Sequence, residues 1–209
     1  PSARTRNSTE MAVVQLGGHP IYITGAEVGI DERETAEDVA RTLGSYHAGI
    51  CARVYSHSVL DRMADVGLVP VVNLLSDEGH PLQAIADVLT IIEELGTVKD
   101  RVVAYIGDAN NVTRSLALAV GYLGGEIRVA SPSGYGLSDH AHTRLARAGV
   151  AVVESEDPTA ILPGADVVYT DTWTSMGQEA ERGRRIRAFE GFTVDAEMMA
   201  KTADHTIFL

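Results

Sequence analysis

Apolar residues along the chain recur with two periods, about two and about 3.6 residues, and the change from one to the other predicts strands and helices in turn. Met11, Val13, Val14 and Leu16 predict an opening amphipathic helix that ends at Gly17 and Gly18. Residues 19–24, His-Pro-Ile-Tyr-Ile-Thr, read as a short strand, and the polar, glycine-containing stretch 25–34 as a loop. Ala36, Val39, Ala40 and Leu43 give a helix over 35–43; strand 49–55, helix 58–66, strand 69–74 and a long helix from about Leu82 to Leu95 follow. The alternation restarts at Arg101 with a buried strand, 102–106, that ends in a turn. Helix 111–122, strand 126–130, helix 138–148, strand 150–154, a short helix near Thr159, strand 165–170, helix 178–189 and strand 206–209 complete the pattern. Such alternation implies an α/β protein with parallel sheets and right-handed crossovers. We read two doubly wound parallel-sheet domains, 1–97 and 98–209, joined by the helix from Leu82 as a bridge.

Composition narrows the partners. The formal charge of −12 argues against nucleic acid, which needs a positive surface, and the 5% aromatic content argues against base-stacking platforms. No apolar run approaches the ~20 residues of a membrane span. No membrane partner is expected, and cytoplasm is the expected location. The single cysteine, Cys51, excludes an intrachain disulfide and a multi-cysteine metal site; its apolar surroundings predict a buried structural thiol. The chain starts on Pro1 and stops on Thr206-Ile-Phe-Leu209, which reads as the interior of a strand, so a fragment is expected.

Candidate chemistry begins at Ser2-Ala-Arg-Thr-Arg6, where two hydroxyls and two guanidinium groups precede an amphipathic run. A helix start exposes unpaired N–H groups and the positive end of the macrodipole, and Arg4 adds a bidentate fork matched to phosphate oxygens. The plainer reading is an ordinary cap, Ser2 or Thr5, with Arg6 paired to Glu10. His80 and Gln83, in Gly79-His-Pro-Leu-Gln83, stand just past a strand end, where open α/β sheets bind ligands. Arg53 ends another strand. Two further motifs are Gly107-Asp-Ala-Asn-Asn111 and Asp171-Thr-Trp-Thr-Ser-Met-Gly177. Taken singly, His80 fits a helix cap or a solvent-facing side chain, Asn110 and Asn111 a capping pair, Asp171 a turn and Met176 a core residue.

In their order and spacing, Ser2-x-Arg4-Thr5, Ala52-Arg53-Val54-Tyr55 and His80-Pro81-x-Gln83 resemble the carbamoyl-phosphate site of the aspartate/ornithine carbamoyltransferase family, and the resemblance covers essentially the whole chain. The two later motifs resemble its ornithine branch, Asp-x-x-x-Ser-Met-Gly being the more specific. The resemblance implies that Ser2, Ala3, Arg4 and Thr5 hold the phosphate of carbamoyl phosphate. It implies that Arg53, His80 and Thr5 act catalytically, polarising the carbonyl oxygen, and that Gln83 accepts a hydrogen bond from the carbamoyl NH₂. For L-ornithine it implies Asp171 and Ser175 at the α-ammonium and Asn111 with the Met176 backbone N–H at the carboxylate. No metal or cofactor is required, and a homotrimer or multiple of trimers is expected, with a loop within Gly25 to Arg33 reaching a neighbouring active site.

Departures from the family pattern carry their own expectations. The family usually has Thr where this chain has Ala3, which removes one hydroxyl from the phosphate loop but keeps its N–H. The chain also stops before the family's His-Cys-Leu-Pro segment. Within the same chemistry, aspartate, putrescine or an acylated ornithine is the alternative amine; Asp171 disfavours the first and lacks a purpose with the last. A dinucleotide oxidoreductase fails, because Gly-Asp-Ala-Asn-Asn-Val has one of the three glycines that pyrophosphate approach needs. A fragment that only binds phosphate ligands is the remaining alternative.

Overall fold

The computed structural model describes residues 2–174 and 179–209, in two compact units, 1–77 and 78–209. The first unit opens with helix α1 (Ala3–Gln15), followed by α2 (Gly25–Val28) and α3 (Ala36–Gly44). Strand β1 (Ile50–Arg53), helix α4 (His57–Asp65) and strand β2 (Val71–Leu75) complete it, and the two strands pair in parallel. Ala36, Val39 and Ala40 of α3 close on Ile50 and Met63, a small core built by the periodicity seen in the sequence.

The second unit holds α5 (Pro81–Leu95), β3 (Val102–Ile106), α6 (Asn111–Tyr122), β4 (Glu126–Ala130), α7 (Asp139–Arg147) and β5 (Val152–Ser155). A 3₁₀ turn at Pro158–Ile161 leads to β6 (Val167–Tyr169), and a second at Glu179–Glu181 to α8 (Arg182–Ala188), α9 (Ala196–Met199) and β7 (Ile207–Phe208). The five strands form a parallel sheet in the order β5-β4-β3-β6-β7. Apolar residues on both faces of β3 explain why it reads as a continuous hydrophobic run: Val103 and Tyr105 enter one core with α5, α6 and α7, while Ala104 and Ile106 enter another with Phe189 and Phe192. The chain winds outward from β3 through β4 to β5, then returns to β6 on the other side. That reversal makes the gap between β3 and β6 the topological switch point.

Four sequence expectations are corrected. Residues 19–24 are not a strand: among the described residues the segment has no sheet partner, and Ile21, Tyr22 and Ile23 are exposed. The expected loop 25–34 contains α2, capped reciprocally by Thr24 and Glu27. The helix expected over 178–189 is shorter, Arg182–Ala188, after the 3₁₀ turn; Gln178 lies outside the described residues. Cys51 is exposed, because it alternates along β1 with the buried Ile50 and so turns to the other face of the two-stranded sheet. Helix α5 packs on α6, and its Val88 and Ile91 join the main core of the second unit.

Candidate active site

In the first unit, α1 starts where the sequence places it. Ser2 is the N-cap, its Oγ accepting from the Thr5 N–H at 3.3 Å and donating to Thr5 Oγ1 at 3.0 Å. Arg53 Nη1 donates to the same Thr5 Oγ1 at 2.8 Å from 48 positions away. The register of β1 against β2 shifts between Ala52 and Arg53, so that Arg53, the last residue of the strand, pairs with Leu75. Burial, and then the charge of Arg4, lower the Arg53 pKa, but a guanidinium stays protonated under any working condition. Ser2, Ala3, Arg4, Thr5 and Arg53 are therefore gathered at one helix N-terminus. Two guanidinium groups held near each other and near the positive end of α1 form a place whose repulsion an anion relieves. Arg6 is engaged elsewhere: it pairs with Glu10 at 2.9 Å and lies 3.8 Å over the Tyr22 ring.

In the second unit, the loops at the carboxyl ends of β3 and β6 flank the switch point. Gly107, at φ 149°, takes the turn after β3, a conformation L side chains rarely adopt. Asn110 caps α6, accepting from the Val112 and Thr113 N–H groups, and Asn111 is the first residue of that helix. The Asn110 amide reaches Asp171 Oδ2 at 3.5 Å, and Asp171 Oδ1 accepts from the Thr172 N–H. The loop after β3 is fixed in depth: the Asp108 carbonyl accepts from the Tyr105 and Thr113 hydroxyls, and its carboxylate takes Arg185 Nη1 at 2.7 Å. Nη1 of Arg185 also donates to the Trp173 carbonyl at 3.1 Å, which ties the segment after β6 to the segment after β3.

His80 is the N-cap residue of α5, with Pro81 in the first helical position, and its N–H donates to Ser115 Oγ at 2.8 Å. Gln83 is exposed; one turn on, Asp87 is buried and accepts from Gln83 Nε2 at 2.8 Å. Burial raises the Asp87 carboxyl above its ordinary range, against hydrogen bonding by Gln83 and Tyr169, and the charge of Asp171 raises it further. Asp108 is raised by burial too, with Arg185 opposing and Asp171 adding. Asp87 and Asp108 both feel the charge of Asp171, which leaves this end of the sheet suited to a cationic group.

Of the residues singled out by sequence, Ser175 and Met176 lie outside the described residues. Asp87 and Arg185 were not singled out, and Asp108 appeared only as a member of the Gly107-Asp-Ala-Asn-Asn111 motif. The spacing of Gln83 and Asp87, one helical turn, was a readable signal; the Asp108–Arg185 pair, 77 positions apart, was not. Among the described residues no group of three or more His, Cys, Asp or Glu is gathered that could hold a metal ion, and no helix is long and apolar enough to cross a membrane.

Comparison with known proteins finds relatives along both units. Residues 1–93 match the family model described as the aspartate/ornithine carbamoyltransferase carbamoyl-P binding domain, and residues 99–209 the model described as its Asp/Orn binding domain. The chain is 45% identical to an ornithine carbamoyltransferase of Thermus thermophilus, covering 100% of this chain and 68% of that protein. It is 41% identical to an anabolic ornithine carbamoyltransferase of Pyrococcus furiosus, with the same coverage. The crystal structure of ornithine carbamoyltransferase from Pyrococcus furiosus superposes with a TM-score of 0.92 at 40% identity, over 100% of this chain and 68% of that one. With a matched model over each unit and relatives of this identity along its whole length, the chain belongs to the aspartate/ornithine carbamoyltransferase family.

Proposed function

We propose that the protein transfers the carbamoyl group of carbamoyl phosphate to the δ-amine of L-ornithine, giving citrulline and phosphate. The observation that carries the reading is the cluster of Ser2, Arg4, Thr5 and Arg53 at the start of α1, an anion cradle in an otherwise acidic protein. In this reading residues 1–97 form the carbamoyl-phosphate domain and residues 98–209 the ornithine domain. The α1 N–H groups, Ser2, the Ala3 N–H, Arg4 and Thr5 bind the phosphate. Arg53, Thr5 and His80 polarise the carbonyl oxygen and stabilise the charge that develops on it as the tetrahedral intermediate forms. Gln83 accepts from the carbamoyl NH₂. Collapse of the intermediate breaks the C–O bond to phosphate; the proton lost by the δ-nitrogen passes to the phosphate, and the HPO₄²⁻ that leaves remains opposite the helix dipole.

Ornithine is bound by Asp171 and Ser175 at its α-ammonium, and by Asn111 and the Met176 N–H at its carboxylate. The δ-amine attacks as the free base; its ordinary pKa is near that of lysine, ~10.4, so binding must favour the neutral form. Holding both substrates in line supplies much of the rate, and the reading needs no metal or cofactor. The acidity around Asp87, Asp108 and Asp171 favours ornithine over aspartate as the acceptor. The assembly in this reading is a homotrimer in the cytoplasm.

Two substitutions test the two halves. Arg4→Ala weakens carbamoyl-phosphate binding by about 1.5–3 kcal/mol in calorimetry, the worth of a charge-assisted bond. Arg6→Ala costs far less, because Arg6 is already engaged by Glu10 and Tyr22. Equal losses would remove the phosphate cradle from this reading. Asp171→Asn raises the KM for ornithine by about 10-fold or more while the KM for carbamoyl phosphate moves little, since a counter-charge is lost from one substrate only. An unchanged ornithine KM in a citrulline-formation assay would reopen the choice of amine.

A further inference from the structure

We propose that Asp87 is a positioning residue that fixes the Gln83 side-chain amide so that its carbonyl oxygen, and not its NH₂, is offered to the carbamoyl NH₂. The inference rests on the role given to Gln83 above and adds the group that enforces it.

A glutamine amide can present either end, and the two ends differ only in who donates. An exposed glutamine would sample both orientations, and one of them sets an NH₂ against an NH₂. Gln83 is exposed, but it sits one helical turn before Asp87, on the same face of α5. Asp87 is 6% exposed, and its Oδ1 accepts from Gln83 Nε2 at 2.8 Å. An ionised carboxylate has no proton to donate, so only the NH₂ end of Gln83 can face it. The carbonyl end is thereby directed away from Asp87.

Burial of this carboxylate has no counterpart in core packing. Its Oδ2 is buried without a hydrogen bond of good geometry, while the Tyr169 hydroxyl on β6 interacts with the same carboxylate. Keeping an under-bonded carboxylate buried beside Tyr169 costs stability, and an apolar residue of similar size would avoid that cost. The Asp87 Oδ1 is instead held by Gln83 Nε2, the bond that orients Gln83.

The test compares two phosphate ligands that differ at one group. Carbamoyl phosphate has the NH₂ that Gln83 recognises; acetyl phosphate has a methyl group there and keeps the phosphate and carbonyl. Asp87→Asn can pair with Gln83 in either orientation and weakens carbamoyl-phosphate binding by about tenfold, the worth of one hydrogen bond, while acetyl-phosphate binding is unchanged. In the Gln83→Ala background, Asp87→Asn has no further effect on carbamoyl phosphate. Asp87→Ser, which introduces a smaller hydroxyl, gives the same pattern and serves if the asparagine variant does not fold. Parallel loss of both ligands, or additivity of the Asp87 and Gln83 effects, overturns the proposal. Failure of the unsubstituted protein to form citrulline overturns the proposed function instead, so the two failures are distinguishable.

Discussion

Alanine in place of Arg53 lowers kcat for citrulline formation by about 10²–10³-fold, the cost of removing one donor aimed at a developing oxyanion. The size follows from where Arg53 is held. It ends β1 just after a shift in register, donates to the Thr5 hydroxyl at 2.8 Å, and shares the α1 N-terminus with Arg4. Phosphate and carbonyl oxygen lie within one small molecule, so a guanidinium placed beside the phosphate loop can reach both. Arg53→Lys recovers little of the loss, because an ammonium lacks the planar fork and cannot serve Thr5 and the substrate in the same geometry. Thermal unfolding changes little in either variant, since Arg53 is only half-buried and belongs to no hydrophobic cluster. A kcat within tenfold of the unsubstituted protein would show that the charge at this helix start binds substrate without stabilising the transition state.

How much of this was legible beforehand depends on how local the cause is. The sheet of the second unit was legible because parallel strands covered on both faces must be apolar throughout, and Val103 to Ile106 or Val167 to Tyr169 can be read no other way. Ser2 as a cap was legible because cap chemistry lies within three residues. Residues 19–24 misled for the same reason in reverse: Ile21, Tyr22 and Ile23 have strand propensity, but propensity supplies no partner, and the segment lies outside the sheet. Helix α2 could have been found from Thr24 and Glu27, three apart, a capping box in a stretch where the glycines drew attention to a loop. Cys51 was placed inside on the strength of its apolar neighbours; alternation along β1 instead turns it to the open face. Long-range polar pairs were invisible altogether. Nothing near Asp108 in the sequence announces an arginine 77 residues later.

That pair carries the second large effect. Arg185→Met destabilises the protein by about 3–5 kcal/mol, because it strips the partner from a buried carboxylate. The side chains of Arg185 and Asp108 are 7% and 10% exposed and meet at 2.7 Å, so solvent cannot take over the lost contact. The pH dependence has a definite sign. Burial already raises the Asp108 pKa above its unfolded value despite the opposing charge of Arg185, so the folded state binds more protons across that interval. Stability from this group therefore falls as pH rises from the ordinary carboxylate range through the raised value, and is flat above it. Removing Arg185 deletes the opposing influence and raises the value further. The loss caused by Arg185→Met is consequently largest at neutral pH and shrinks toward acid, where Asp108 is protonated. Adding Asp108→Asn to Arg185→Met recovers part of the loss at neutral pH, since the uncompensated charge is gone, whereas two independent sites would add. Denaturant titrations of the single and double variants at neutral and acid pH measure all of these differences. Because Arg185 also holds the Trp173 carbonyl, the same substitution raises the ornithine KM through Asp171, two residues before Trp173, and leaves carbamoyl-phosphate binding as it was. A fully additive double variant, or a loss independent of pH, would show that the ion pair contributes packing alone.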